Sequence, residues 1–208
     1  MTFPSAAALL VFGAGGHGRV VADAALLCRH WSAVTASDRN PISCHGELLP
    51  GVPLVAAASV SRLTGLVHIA IGSSAARAKE AASWRPDRLA TVLHPAATVS
   101  QFSRLAAGCF VAAGAVVGPA ASVGSCVIIN HGAVVDHDVE IGAFSHIAPN
   151  AALGGHVKVG RRVLIGAGAV VLPSVVIGDD VTVGAGAVVS THLLEAGIYA
   201  GIPARRIQ

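Results

Sequence analysis

The segment Asn130-His131-Gly132-Ala133-Val134-Val135-Asp136-His137-Asp138 holds the residue types from which proton-transfer chemistry is built, with His146 and His156 following it. An isolated histidine is more often a core or surface residue than a base. His137, set between two aspartates, is a different case. A carboxylate beside an imidazole holds one tautomer and raises its basicity, which is what a general base requires. None of Cys28, Cys44, Cys109 and Cys126 falls in this segment, so a covalent thiol intermediate is not expected.

The frame that must position these residues is a repeat. Stepping by six from Leu93 through Val99, Leu105, Val111 and onward to Val183 and Val189 meets only Leu, Ile or Val, and the series breaks at Glu195. The next position is often glycine (Gly118, Gly124, Gly142, Gly154, Gly160, Gly166, Gly178, Gly184), as a tight corner would require. Four residues after the aliphatic comes a small or β-branched residue such as Ala115, Ala133, Ser145 or Ala169. Each hexad reads as a short strand plus a corner. Three hexads close a triangular coil, with the aliphatics stacking about eighteen residues apart inside a β-solenoid.

That register orders the chemistry. At about 20° of turn per residue, Gly155 stacks directly beside His137, and His156 is its neighbour. His146, half a coil away, lies on the opposite side of the prism and shares that side with Asn130. One chain therefore presents two half-sites facing different ways. They unite only if chains pack around an axis, which implies a homo-oligomer, most simply a trimer. His131 and His137 stand on different corners and the spacings put no three histidines on one side, so no metal site is expected.

Residues 1–92 read differently. Leu9-Leu10-Val11-Phe12 suggests a buried strand, followed by Gly13-Ala14-Gly15-Gly16-His17-Gly18 and an apolar helix to about Cys28. This is GxGxxG between strand and helix, with Asp38 about twenty residues beyond it. A strand over Leu66–Ile71 ending at Gly72-Ser73-Ser74, a helix over Ala75–Trp84 and a last strand over Leu89–Val92 complete a small Rossmann-like unit. By itself the motif also suits a tight turn with no ligand. A unit this short suits a nucleotide diphosphate better than NAD: backbone amides at a helix N-terminus meet the pyrophosphate, while Ser37 or Asp38 meets base or ribose. The expected division is thus an α/β domain over 1–92 and an all-β solenoid over 93–208.

Composition narrows the function classes. Among 208 residues, charged residues make up 12% and aromatics 4%, with 24 glycines, which suits a narrow repetitive interior better than an ordinary globular core. The net charge of +3 is spread along the chain, unlike the clustered cations of a nucleic-acid-binding surface. No window has the roughly 20 apolar residues of a membrane-spanning helix, and Met1–Phe12 lacks the basic start and cleavage signature of a secretory signal. The cysteines show no CxxC pairing, so reduced thiols in a cytoplasmic protein are expected.

Over essentially its whole length the chain resembles a known family. The resemblance rests on GAGGHG (13–18), AIGSS (70–74), LHPAATVS (93–100), INHGAVVDHDVEIGAFSHIAPNAALGG (129–155) and AGIPARR (200–206). It is similar to bacterial nucleotide-sugar acetyltransferases of the NeuD/PglD type, nearest to the PglD-type enzymes that acetylate the amine of a UDP-4-amino-4,6-dideoxy sugar in glycan biosynthesis. The resemblance implies a Rossmann-like domain joined to a left-handed parallel β-helix, acetyl-CoA as co-substrate and no metal. It implies His137 as general base, oriented by Asp138, which stands where some relatives have Glu. His146, Gly155, Ala167 and Ala185 match acetyl-CoA contacts, with the Gly155 amide facing the developing oxyanion. Gly15, Gly16, His17, Ser37, Asp38, Gly72 and Asn130 match nucleotide-sugar contacts, although relatives often carry two acids where this chain reads Ser37-Asp38-Arg39. Two other functions fit the same features: O-acetylation of a sugar hydroxyl, as in sialic acid modification, and non-catalytic binding of a nucleotide sugar.

Overall fold

A computed structural model describes residues 7–40, 42, 44–62 and 65–208. The start of the apolar run read at Met1–Phe12 lies outside the described residues. The first strand, β1 (Leu9–Phe12), is wholly buried and is flanked in parallel by β2 (Val34–Ser37) and β5 (Leu66–Ile69), with β3 (Glu47–Leu49) and β4 (Val52–Pro53) forming a separate small hairpin. Helix α1 (Gly16–Cys28) covers the sheet with Val21, Ala22, Ala24 and Ala25, small enough for close helix–strand contact. Helix α2 (Ser74–Ala81) starts at Ser73, whose hydroxyl accepts from the Ala76 amide and so caps an otherwise unpaired donor. Leu89 makes only an isolated bridge to Val67 rather than the expected strand over Leu89–Val92. Val92–Leu93 already pairs with Phe110–Val111 and belongs to the solenoid.

From there the hexads form rungs on three faces, each rung up to Val170–Val171 pairing in parallel with the one eighteen residues on. The first face holds Phe110–Val111, Ile128–Ile129, His146–Ile147 and Leu164–Ile165. The second holds Val116–Val117, Val134–Val135, Ala152–Leu153 and Val170–Val171. The third holds Ser122–Val123, Glu140–Ile141 and Lys158–Val159. The second residue of each rung points inward, and from Val111 to Val189 each of these is at most 4% exposed. The small residue at the next corner, such as Ala115, Ala133 or Ser145, fills the prism between rungs. The chain is thus an α/β unit followed by a left-handed parallel β-helix.

The corner glycines act differently from the sequence expectation. Positive φ falls two residues later, and there it is mostly carried by other residue types, including Ala120, Cys126, Asp138, Phe144, Asn150 and His156. The amide at this position donates to the coil before it, as Asp138 does to the Pro119 carbonyl and His156 to that of His137. Those bonds offset a cost of about 1–2 kcal/mol for a left-handed residue. The glycine right after the rung is required by proximity instead: a Cβ on Gly142 would stand 2.5 Å from the Gly160 carbonyl carbon.

The α/β unit rests on the first face. Phe110 and Ile128 join the core formed by β1, β2 and α1, while Cys126 and Phe144 join that of Phe12, Val67, Ile69 and Ala81. Arg77 of α2 binds the two halves together. The residue is 1% exposed, and its guanidinium donates to the Ile71 and Gly72 carbonyls on one side and to those of Cys126, Phe144 and Ser145 on the other. A hairpin of Gly197–Ala200 with Arg205–Arg206 closes the far end, where Tyr199 and Ala204 cover the last coil.

Candidate active site

The corner between the second and third faces carries His137. Its Nδ1 lies 2.8 Å from Asp138 Oδ2, and its amide donates to Asp136 Oδ1 at 2.7 Å. With Nδ1–H given to the carboxylate, Nε2 is the nitrogen left with a free lone pair. The hydrogen bond to Asp138, with the Asp136 charge, pushes the imidazole above its usual range. One coil on, Gly155 lies against the ring as its register required: a Cβ there would be 2.5 Å from Nε2. Among the described residues the Gly155 amide meets no acceptor, so it is free to donate outward. His156 stands beside Asp138, its Nε2 3.8 Å from the same Oδ2, with the two imidazoles edge to face at 5.1 Å.

A second set lies on the first face, under the α/β unit. Asn130 Nδ2 is 3.1 Å from His146 Nε2, which serves as acceptor because burial, aided by Arg77, lowers the His146 pKa to about 4. His17 packs edge-on against Phe110 at 5.4 Å, with its Nε2 buried and unpaired. Burial, and then the neighbouring His68 and His146, lower its pKa to about 3. His68 donates from Nδ1 to the Ala90 carbonyl and is lowered to about 4, chiefly by burial. At neutral pH this is a cluster of uncharged imidazoles.

Two openings flank the cluster. One, about 330 Å³, lies between Gly72, Ser73 and Ser74 and the first-face residues His146, Leu164 and Thr182. The other, about 340 Å³, runs between Arg19, Val20 and Asp23 of α1 and the solenoid residues His94, Phe110 and His131. Gly15 and Gly16 have open space where side chains would be, and α1 begins with no side-chain cap, which leaves its first amides available to an anion. Asp38 accepts from the Ala14 amide at 2.8 Å and so fixes the glycine loop. Ser37 is not at the mouth: it is fully buried, and its hydroxyl donates to the Val55 carbonyl.

The sequence-derived residues therefore fall into separate groups within one chain. His137, Asp138 and Gly155 meet at one corner. Asn130, His146, His17 and Gly72 gather under the α/β unit. Ala167 and Ala185 are exposed along the corner between the first and second faces, one coil apart. Sequence reasoning did not find Arg77 or His68. Arg77 sits in the polar-looking stretch Ser74-Ala75-Ala76-Arg77-Ala78-Lys79-Glu80, where nothing separates a buried arginine from a solvated one. His137, Asp138 and His156 also bring ligand atoms within 4.8 Å of one another, a grouping of two histidines and a carboxylate that the reading of histidines alone did not consider.

A hexapeptide solenoid carrying an oriented histidine, with a glycine-loop α/β unit on one face, defines an acyltransferase of the hexapeptide-repeat class. Residues 8–83 match the PglD N-terminal domain, and residues 156–191 match the bacterial transferase hexapeptide (six repeats). Among solved structures, GDP-perosamine N-acetyltransferase from Caulobacter crescentus, a histidine-to-alanine variant in complex with CoA and GDP-perosamine, superposes with a TM-score of 0.89. It is 34% identical, over 97% of this chain and 97% of that one. The acetyltransferase domain of PglB from Neisseria gonorrhoeae in complex with acetyl coenzyme A gives 0.88 at 32% identity, over 97% and 100% of the two chains. WeeI from Acinetobacter baumannii shares the fold, with a TM-score of 0.85 over 96% and 99% at 23% identity. No curated protein sequence matches the chain. The chain belongs to the PglD-like family of hexapeptide-repeat sugar N-acetyltransferases.

Proposed function

We propose that the protein transfers the acetyl group of acetyl-CoA to the amino group of a nucleotide-linked amino sugar, with His137 as general base. The observation that carries this reading is the His137–Asp138 pair standing against Gly155. The neutral amine attacks the thioester carbonyl and Nε2 of His137 takes the proton. The Gly155 amide faces the oxygen on which charge develops, and the CoA thiolate leaves. Cys109, its thiol pushed up to about 12 by burial, is no nucleophile. Holding both substrates together supplies much of the rate.

The half-sites are joined between chains. The second face presents Val116, Val134, Ala152, Val170 and Val188 outward, and Val116, Val134 and Val170 are 37–38% exposed. The third face instead presents Arg104, Ser122, Glu140 and Lys158, the last two paired at 2.9 Å. An apolar ladder of that kind suits a partner. With three copies turning their second faces to a common axis, the His137 corner of each chain adjoins the Asn130–His131 corner of the next. The two corners lie a third of a coil apart, so they meet at one height. The trimer then places acetyl-CoA along Ala167 and Ala185 of one chain, with its thioester at Gly155 and His137 of another. The nucleotide sugar lies on Gly15, Gly16, His17 and Asp38, in the α/β half.

The UDP-4-amino-4,6-dideoxy sugars are the first acceptors to test, and GDP-linked ones the second, since a relative was solved with GDP-perosamine. Among the described residues no helix is long and apolar enough to cross a membrane, and four free thiols suit a reducing cytoplasm. The test is acetyl transfer to a panel of nucleotide-linked amino sugars and to sialic acids, read as acetylated product. His137→Ala should lower turnover by about 10²–10⁴-fold. Near-normal turnover in that variant overturns the base assignment, and transfer to sialic acids alone overturns the acceptor.

A further inference from the structure

His137 Nδ1, Asp138 Oδ2 and His156 Nε2 point into one small space at the corner between the second and third faces. The carboxylate oxygen lies 2.8 Å from the first nitrogen and 3.8 Å from the second. In a tetrahedral zinc site with bonds of about 2.0–2.1 Å, ligand atoms stand about 3.3 Å apart. The two observed separations bracket that value. All three ligand atoms lie within 4.8 Å of one another, so rotation of exposed side chains is enough to close them around an ion. Asp138 and His156 are also held in equivalent left-handed turns one coil apart, each amide bonded to the coil before it, so the backbone beneath the three donors is fixed. All three residues are exposed in the single chain.

We propose that this corner binds a divalent cation of the zinc class, and that the bound ion switches acetyl transfer off. The proposal rests on the reading of His137 as the base. The inhibition follows from the tautomer rather than from blockage. In the active form Nδ1 carries the proton that Asp138 receives, and Nε2 carries the lone pair. Coordination uses the lone pair of Nδ1, so the ring proton passes through solvent to Nε2, the nitrogen that must be bare to accept from the amine. The ring stays neutral, no redox partner is needed, and the base is lost. Asp138 gives its oxygen to the ion instead of to the imidazole. His156 supplies the third bond from Nε2, with its own proton on Nδ1.

His156 takes no part in the proposed transfer and is the residue that separates the two roles. The experiment uses tag-free protein freed of metal by chelation, titrated with Zn²⁺ in a calorimeter without CoA, whose thiol would compete for the ion. Co²⁺ is the spectroscopic probe. The expected result is one ion per chain, a visible Co²⁺ absorption band, and a rate of acetylated-sugar formation that falls with Zn²⁺ and returns with EDTA. His156→Gln should keep the metal-free rate while needing at least tenfold more Zn²⁺ for the same inhibition, and should lose the Co²⁺ band. Equal Zn²⁺ binding by the wild type and His156→Gln overturns the site. Full occupancy with undiminished transfer overturns the switch. Zn²⁺ binding that depends on His156 in a protein that acetylates no amino sugar supports the site and overturns the function reading instead.

Discussion

At the residue scale, the space beside the His137 ring is set by an absent methyl group as much as by any side chain present. A Cβ at Gly155 would fall 2.5 Å from Nε2, and because His137 is half exposed, the imidazole has room to swing away. Gly155→Ala should therefore leave the melting temperature almost unchanged while lowering kcat/KM at least 100-fold, a loss of about 2.7 kcal/mol of transition-state stabilisation. A variant with near-normal kcat/KM would show that the contact is idle. The buried histidines give a prediction of a different kind. His17, His68 and His146 have folded-state values of about 3, 4 and 4, below the ordinary 6.5, so the unfolded chain binds more protons. Stability is complete above about pH 6.5 and falls as the pH drops toward 4, with the slope ending below the folded values. His68→Gln should flatten that slope in urea unfolding followed across this range, and an unchanged slope would refute its share. Much of this site was legible in the sequence, because an eighteen-residue coil fixes which residues stack. The neutral histidine cluster was not: it depends on how the α/β unit sits over Phe110, and no periodicity encodes that.

At the scale of elements, the rungs were fully readable and the corners were not. Buried aliphatics every six residues dictate the strands, but the glycines beside them answer to the crowding of adjacent coils. The left-handed turn two residues later accepts Asp, His, Phe or Asn because a hydrogen bond to the previous coil holds it. The strand expected over Leu89–Val92 failed for a related reason: Val92 finds its partner in Phe110, so the solenoid takes it. Between the halves, Arg77 replaces the usual carboxylate partner with five backbone carbonyls. Burial lowers its pKa to about 10, so the guanidinium is still charged at neutral pH. Arg77→Met leaves these acceptors unpaired and should destabilise the protein by about 3 kcal/mol or more, since each unmet buried group costs on the order of 1–3 kcal/mol. Arg77→Lys, a single ammonium without the planar fork, should recover only part of this in thermal unfolding. Equal melting temperatures for the wild type and Arg77→Met would show that water takes over the carbonyls.

At the scale of the whole molecule, the proposed shared site makes activity depend on assembly. Val134→Glu places a charge on the second face, where the isolated chain tolerates it and a three-fold interface does not. Sedimentation should show monomers that have lost transfer, and an active monomer would dismiss the shared site. Co-expression of His137→Ala with Asn130→Ala should restore part of the activity lost by each alone, because a mixed trimer contains a junction with both residues intact. The solenoid has one further consequence. Its coils stack like coins and touch only their neighbours, so opening must start at an end and run inward, as a zipper does. The α/β unit leans on one side of the column and the terminal hairpin plugs one end, while the rungs bearing His137 and Gly155 lie near the middle. Fraying spends itself before it reaches them. The bonded rung amides beside the proposed catalytic corner, such as those of Val134, Asp136, Ala152 and Gly154, should therefore exchange slowest, the reverse of the usual pattern in which working residues occupy the loosest part of a protein.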